Sequence, residues 1–197
     1  VEEGYRRYYN VLRLAESKAW STPIFHGELA AFRKDLLEEI GGFPTDIGAD
    51  DSHTATKIAL IAYRAIIPEN TRCHELIPKN GYIRWRIRRA QHLIQHFMKT
   101  LRLLEFTSSG IYGRILAVET FLHVLNPWLL LMVIILLLLN ALVFNTLLAL
   151  ILTASGLILL AIKPYRTWII SQIFLIIASV RNLWTREMTW SKSAKLY

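Results

Sequence analysis

The chain has 197 residues, a net charge of +8 and a hydrophobic fraction of 53%. Its one cysteine, Cys73, excludes an intrachain disulfide framework. The averages conceal a division: Arg, Glu, Asp and His are frequent up to about Gly113, whereas no charged side chain occurs from Val124 to Ile162. A soluble domain would need a very large core to bury so long an apolar run.

In chain order, the first element is Phe25 to Phe43 (FHGELAAFRKDLLEEIGGF), which reads as an apolar strand around Leu29–Phe32 and then a short helix through Ile40. Gly41 and Gly42 stop that helix, because glycine tolerates the left-handed conformation at a helix end. Gly48-Ala49-Asp50-Asp51 then leads into a helix from Ser52 to about Ala62, and Ala65–Ile67 reads as a short buried strand ended by Pro68. Alternating strand and helix imply an α/β soluble part.

From Ile87 to Phe106 the apolar residues Ala90, Leu93, Ile94, Phe97, Met98, Leu101 and Leu104 recur at helical spacing. The opposite face carries Arg88, Arg89, Gln91, His92, Gln95, His96, Lys99 and Arg102. Such a helix either packs on its own domain or lies in a headgroup layer. Two apolar segments follow, about 124–144 and 146–162, separated only by Asn145 and its neighbours. They predict a transmembrane helical hairpin with both ends on one side. Arg86, Arg88, Arg89, Lys99, Arg102 and Arg114 precede it, and Lys163 and Arg166 follow, so the positive-inside tendency puts the polar part in the cytoplasm. Thr167–Val180 is short and followed by Arg181, Arg186, Lys192 and Lys195. An interfacial helix keeps those charges inside, where a third span would not.

Two clusters carry chemistry. Asp50 and Asp51 open a helix, where carboxylates cap free N–H groups and complement the helix dipole. The same position suits a general base, since capping keeps the carboxylate ionised. Arg84-Trp85-Arg86-Ile87-Arg88-Arg89 can bind phosphates through bidentate guanidinium contacts, or hold anionic headgroups. A basic run beside apolar helices argues against nucleic acid. His92 and His96 share a helix face without further ligands, and His26, His53 and His74 stand alone, so no zinc site is expected.

The order of these motifs resembles the C-terminal half of a family 2 membrane glycosyltransferase. The "R-x-x-L-x-x-I-G-G-F" helix of that family is matched, with one residue more between Leu36 and Ile40, by Arg33 to Phe43, and its acidic pair by Asp50-Asp51. Its Gln-x-x-Arg-Trp motif is matched only in part: Arg89 keeps the arginine, while Arg86 stands for Gln and Ala90 for Trp. That departure weakens a processive, cellulose-synthase-like reading. KPYRTWIISQ and RNLWTREMTWSK resemble the family's post-hairpin tail.

The resemblance implies part of a GT-A, Rossmann-like domain in residues 1–84. A basic amphipathic interfacial helix (85–114), a transmembrane hairpin (115–162), and an interfacial or short third membrane helix with a basic tail (163–197) would follow. It implies an inverting transfer from a nucleotide sugar to a lipid-linked or polysaccharide acceptor at the cytoplasmic face of the cell membrane. Asp51 would be the base and Asp50 its support, with Arg86, Arg88 and Arg89 on the donor pyrophosphate or a lipid phosphate. The family's nucleotide-binding half and its Asp-x-Asp metal site have no counterpart here. The expectation is therefore a fragment, or a subunit completed by another chain, with Mg2+ or Mn2+ held mainly by that missing half. A non-catalytic membrane subunit that scaffolds a partner enzyme is the alternative, and a basic lipid-binding module a third.

Overall fold

The computed structural model describes residues 2–25, 29–70, 80–104 and 110–185. Among them the regular elements are helical: α1 (Glu2–Ala19), α2 (Lys34–Glu39), α3 (Asp50–Leu60), α4 (Tyr82–Leu104), α5 (Ile111–Thr120), a π-helical turn (Phe121–Leu125), α6 (Asn126–Leu142), α7 (Leu147–Leu159) and α8 (Lys163–Arg181).

No strand or sheet occurs among the described residues, which corrects the α/β expectation. Leu29–Phe32 runs into α2 without a ladder, and Ala65–Ile67 is extended but unpaired as a strand. The Thr22 N–H donates to Ala65 O (3.1 Å), yet the N–H groups of Ala65 and Ile67 go to the hydroxyls of Ser21 and Ser17, both at 3.0 Å. Side-chain oxygens have taken the donors that a neighbouring strand would need. Without a sheet there is no Rossmann-like core among the described residues, so the assignment to the GT-A class of family 2 membrane glycosyltransferases is overturned as well.

Helix α4 is the spine, packed on α8, α3, α5 and the π turn. Its buried side is not purely apolar: Ile94 and Phe97 are enclosed together with Gln91, His96 and Thr100, while Met98 and Leu101 are exposed. Polar partners make this possible. Gln91 Nε2 donates to Asn182 Oδ1 (3.3 Å) and to Thr185 O (3.0 Å), and Gln95 Nε2 donates to Asn182 Oδ1 (2.9 Å). This amide latch ties the C-terminal end of α8 to the middle of α4.

A second core joins Ala59, Phe97, Tyr112 and Leu116. Tyr112 donates to Thr56 Oγ1 at 3.0 Å, and the Phe97 and His123 rings stack at 5.3 Å. Beside it lies a buried charge network. Arg13 Nη1 donates to Glu16 at 2.9 and 2.7 Å and Nη2 to Glu119 Oε2 at 3.2 Å, while Thr22 Oγ1 donates to Glu16 Oε2 at 2.8 Å. Burial pushes the Glu16 carboxyl up to about 7 against the pull of Arg13.

Helices α5 and α6 join through the π turn into one run, Ile111–Leu142, of 32 residues, the one helix among those described that is long and apolar enough to cross a membrane. Pro127 lies inside this continuous run, directly after the π turn, and has no N–H to give to the helical ladder there. Helix α7 returns against α6, with Ala141 and Ala149 buried at their contact; small residues let backbones approach closely. The second arm of the expected transmembrane hairpin is shorter than its apolar sequence. Helix α7 has 13 residues, about 20 Å, against a hydrocarbon core of about 30 Å. Its apolar run continues into a turn at Leu160–Ile162, and α8 departs at 103° to α7. A hairpin exists, but a pair of full spans does not.

Arg13→Met would leave two buried carboxyls without their cation, a change expected to lower stability by about 3–5 kcal/mol. The sign with pH follows from Glu16: a carboxyl raised in the fold favours the folded state at low pH and loses that contribution as pH rises through about 7. The variant's deficit should shrink as pH falls from 7 towards 5, measured as melting temperature against pH in detergent.

Candidate functional site

The site is built where α3 meets α4. Its approach loop begins at Gly41 and Gly42, whose φ angles of +82° and +79° favour glycine. The loop then runs along α4: Asp46 pairs with Lys99, and the Gly48 N–H donates to Gln95 Oε1 at 3.4 Å. At Gly48 the backbone lies so close to α4 that a Cβ would overlap the His92 ring.

That contact fixes where α3 starts. Asp50 and Asp51 occupy its first turn. Asp50 is exposed, whereas Asp51 is partly buried and its Oδ1 accepts the Ser52 N–H at 2.7 Å. Ser52 in turn accepts the Phe25 N–H at 2.9 Å, anchoring the start of α3 to the segment after α1. Burial is the largest influence on Asp51 and raises its carboxyl above the ordinary range. The Ser52 N–H opposes that, the Asp50 charge adds to it, and the Arg89 guanidinium opposes it. Asp51 is therefore a carboxylate with more affinity for a proton than a surface aspartate, held within the field of one arginine.

The three arginines part company. Arg89 lies over the Trp85 ring, 4.9 Å from its centroid, and Trp85 is itself buried and stacked on Tyr82 at 5.8 Å. Arg86 points to α8, with its guanidinium 5.2 Å from the Phe174 centroid and Nη2 donating to Ser171 Oγ at 3.4 Å. Arg88 is buried. Arg89 thus acts on Asp51 through its charge, the smallest of the influences named above, while Arg86 is directed to α8. Trp85, Gln91, Gln95, His92 and Gly48 support the site without having stood out in the sequence. The one available signal was the i, i+4 spacing of Trp85 and Arg89, which allows a cation over a ring on one helix face.

Beneath the acidic pair two histidines are buried. His53 and His96 meet ring to ring at 5.9 Å, and burial depresses them to about 4 and about 3, so both are neutral imidazoles. Among the described residues no three His, Cys, Asp or Glu side chains gather as a metal group. The described residues therefore do not fit a divalent metal by themselves.

No protein-family model and no curated protein matches the chain. A solved structure does: the mannosyltransferase PcManGT from Pyrobaculum calidifontis, in complex with GDP-Man and Mn2+. The two are 55% identical with a TM-score of 0.81, and the match covers 91% of this chain and 51% of that one. The chain thus spans about half the length of that mannosyltransferase.

Gly48→Ala should force the loop off α4 or displace His92, at a cost of about 1–3 kcal/mol for overpacking. Removing the ring as well, in Gly48→Ala with His92→Ala, should recover part of that loss. Melting temperatures of the two single variants and the double variant measure the coupling.

Proposed function

We propose that this chain is the acceptor-side and membrane portion of a glycosyltransferase that uses a nucleotide-sugar donor. One observation carries the reading: 55% identity over 91% of the chain to a mannosyltransferase solved with GDP-Man. GDP-mannose is accordingly the donor to test first. The acceptor is lipid-linked or a glycan, and the transfer occurs at the cytoplasmic face of a membrane. The uncharged run from Val124 to Ile162, bracketed by Arg114 and by Lys163 and Arg166, supports that location.

In this reading an acceptor hydroxyl attacks the anomeric carbon from the face opposite the nucleotide, so configuration inverts in one displacement. Its proton passes to Asp51, whose burial and neighbouring Asp50 charge raise its basicity. The departing diphosphate carries growing negative charge, which a guanidinium stabilises. Arg89, clamped by Trp85 and close enough for its charge to act on Asp51, is the best placed of the three. Arg86 and Arg88 act from the same helix, Arg86 through its contacts on α8. Mg2+ or Mn2+ is held mainly by the nucleotide-binding half that this chain lacks; the solved relative was in complex with Mn2+. The proton transfer assigned to Asp51 does not run through it.

The test uses the complete enzyme in detergent, with labelled GDP-mannose and a hydroxyl glycan acceptor. Asp51→Asn should lower transfer by about 10²–10⁴-fold, the usual contribution of a general base. Undiminished transfer would move the chain to the scaffolding-subunit reading. Asp50→Asn removes a like charge that raises Asp51, so Asp51 becomes more acidic. The acid limb of the pH–rate profile should then shift to lower pH, with the folded structure unchanged by circular dichroism.

A further inference from the structure

We propose that the cavity enclosed by the loop after α2, by α3 and by α4 is a binding site for a phosphate group. Its volume is about 430 Å³. Three cations line it, Lys57 of α3 with Lys99 and Arg102 of α4, against one carboxylate, Asp46. Arg102 lies about 20 Å from Arg89 along α4, at 1.5 Å per residue. The inference therefore concerns a second place on the same helix and does not depend on the transfer assigned to Asp51.

The walls are held by contacts that leave donors unspent. Lys57 Nζ donates to Ile40 O at 2.6 Å, fixing the start of the loop to α3. Lys99 pairs with Asp46 midway, and the Gly48 N–H reaches Gln95 Oε1 at the far end. An ammonium group has three N–H donors, so both lysines retain some for a ligand. Arg102 is exposed and has no ion-pair partner among the described residues. Its planar fork of N–H groups matches phosphate oxygens in pairs.

His53 supplies a second observation. It stands in the cavity wall, is 2% exposed, and its Nδ1 has no hydrogen-bond partner among the described residues. Buried polar atoms seldom stay unpaired, so one in a cavity wall marks the place of a bound group or an ordered water. Burial is the main reason that His53 is depressed to about 4. Lys99 and then Lys57 lower it further, while Asp46 opposes them with the smallest effect. The wall thus lies in a net positive field, which repels a metal ion and attracts an anion.

That chemistry has two sources, a soluble phosphate and an anionic lipid headgroup. The lip of the cavity bears on the second. Phe43 lines it, and Met98 and Leu101 lie within one turn of Arg102 on α4; all three are exposed apolar side chains. Cations with apolar groups beside them suit a headgroup whose chains lie alongside.

The test follows the melting temperature of the complete enzyme in detergent against inorganic phosphate, with chloride at matched ionic strength as the control. Phosphate should raise it saturably and beyond the effect of chloride. Arg102→Gln should weaken the apparent affinity about tenfold, the usual weight of a hydrogen bond to a charged group. Asp46→Asn should strengthen it by about two- to fivefold, because Lys99 loses a competing carboxylate. Both side chains are exposed, so neither change threatens the fold. Nanodiscs then separate the sources. A phosphate-dependent shift in phosphatidylcholine that vanishes with phosphatidylglycerol assigns the cavity to a lipid headgroup, whereas a shift in both assigns it to a soluble phosphate. A shift no larger than that of chloride, or absent from both lipids, would overturn the proposal. So would an affinity indifferent to Arg102→Gln, or one that Asp46→Asn weakens.

Discussion

The fold depends on a guanidinium that has no access to water. Arg13 is 1% exposed and lies between Glu16 of its own helix and Glu119 on α5. Burying a charge is strongly unfavourable unless opposite charge and hydrogen bonds replace its hydration, and that requirement allows few arrangements. Here it fixes α1 against the base of the long helix. The Tyr112–Thr56 hydrogen bond and the Phe97–His123 stack then bring α3 and α4 to the same base. The direction in which the apolar hairpin leaves the polar part is thereby set by a buried ionic contact, while the apolar residues of α6 and α7 supply no directional preference of their own.

Elements whose signal is local were legible. The Gly-Gly stop after Ile40, the acidic opening of the helix at Asp50 and the uncharged run from Val124 each depend on neighbouring residues, and each corresponds to an observed feature. The strands were not legible, because a strand is a relation between two segments. Ala65–Ile67 has suitable composition, yet the hydroxyls of Ser17 and Ser21 meet its N–H groups, and no periodicity rule sees a partner some 44 residues away. Helix α4 errs in another way. Its spacing gave the right period, but His96 is buried and Met98 exposed, and Gln91 is buried because Asn182 and Thr185 on the α8 side offer it polar partners from far along the chain. Likewise, hydropathy counts apolar residues whether or not they are helical, so the turn at Leu160–Ile162 lengthened the apparent second arm.

The candidate site shows the same limit at the level of single residues. The acidic pair was visible because two carboxylates at a helix start have a recognisable chemistry. Which arginine faces them was not visible, since three guanidiniums within four residues point in directions separated by about 100° per residue. Trp85 selects Arg89 by occupying the adjacent helix position with a flat, buried ring, and Phe174 on α8 draws Arg86 elsewhere. Gly48 illustrates a related point. A glycine in a loop usually reads as a turn, and only the His92 ring above it reveals close packing as the need for a missing Cβ.

These contacts make the site and the hairpin parts of one body. Arg86 and Arg89 lie less than one turn apart on α4. The first is held by Ser171 and Phe174 of α8, and the second by Trp85, with its charge acting on Asp51. Helix α8 is the direct continuation of the hairpin, and the amide latch through Asn182 fastens its far end to Gln91 and Gln95. A shift of α8 along α4 would therefore strain both the Arg86 contacts and the latch. Gln95 also accepts the Gly48 N–H just ahead of the acidic pair, so that strain has a short route to Asp51. Side chains that hold a helix against its neighbour at two separated points resist sliding more than either contact alone. The acidic pair, the Arg89 clamp and the apolar hairpin consequently keep a fixed mutual geometry, as the proposed transfer would require.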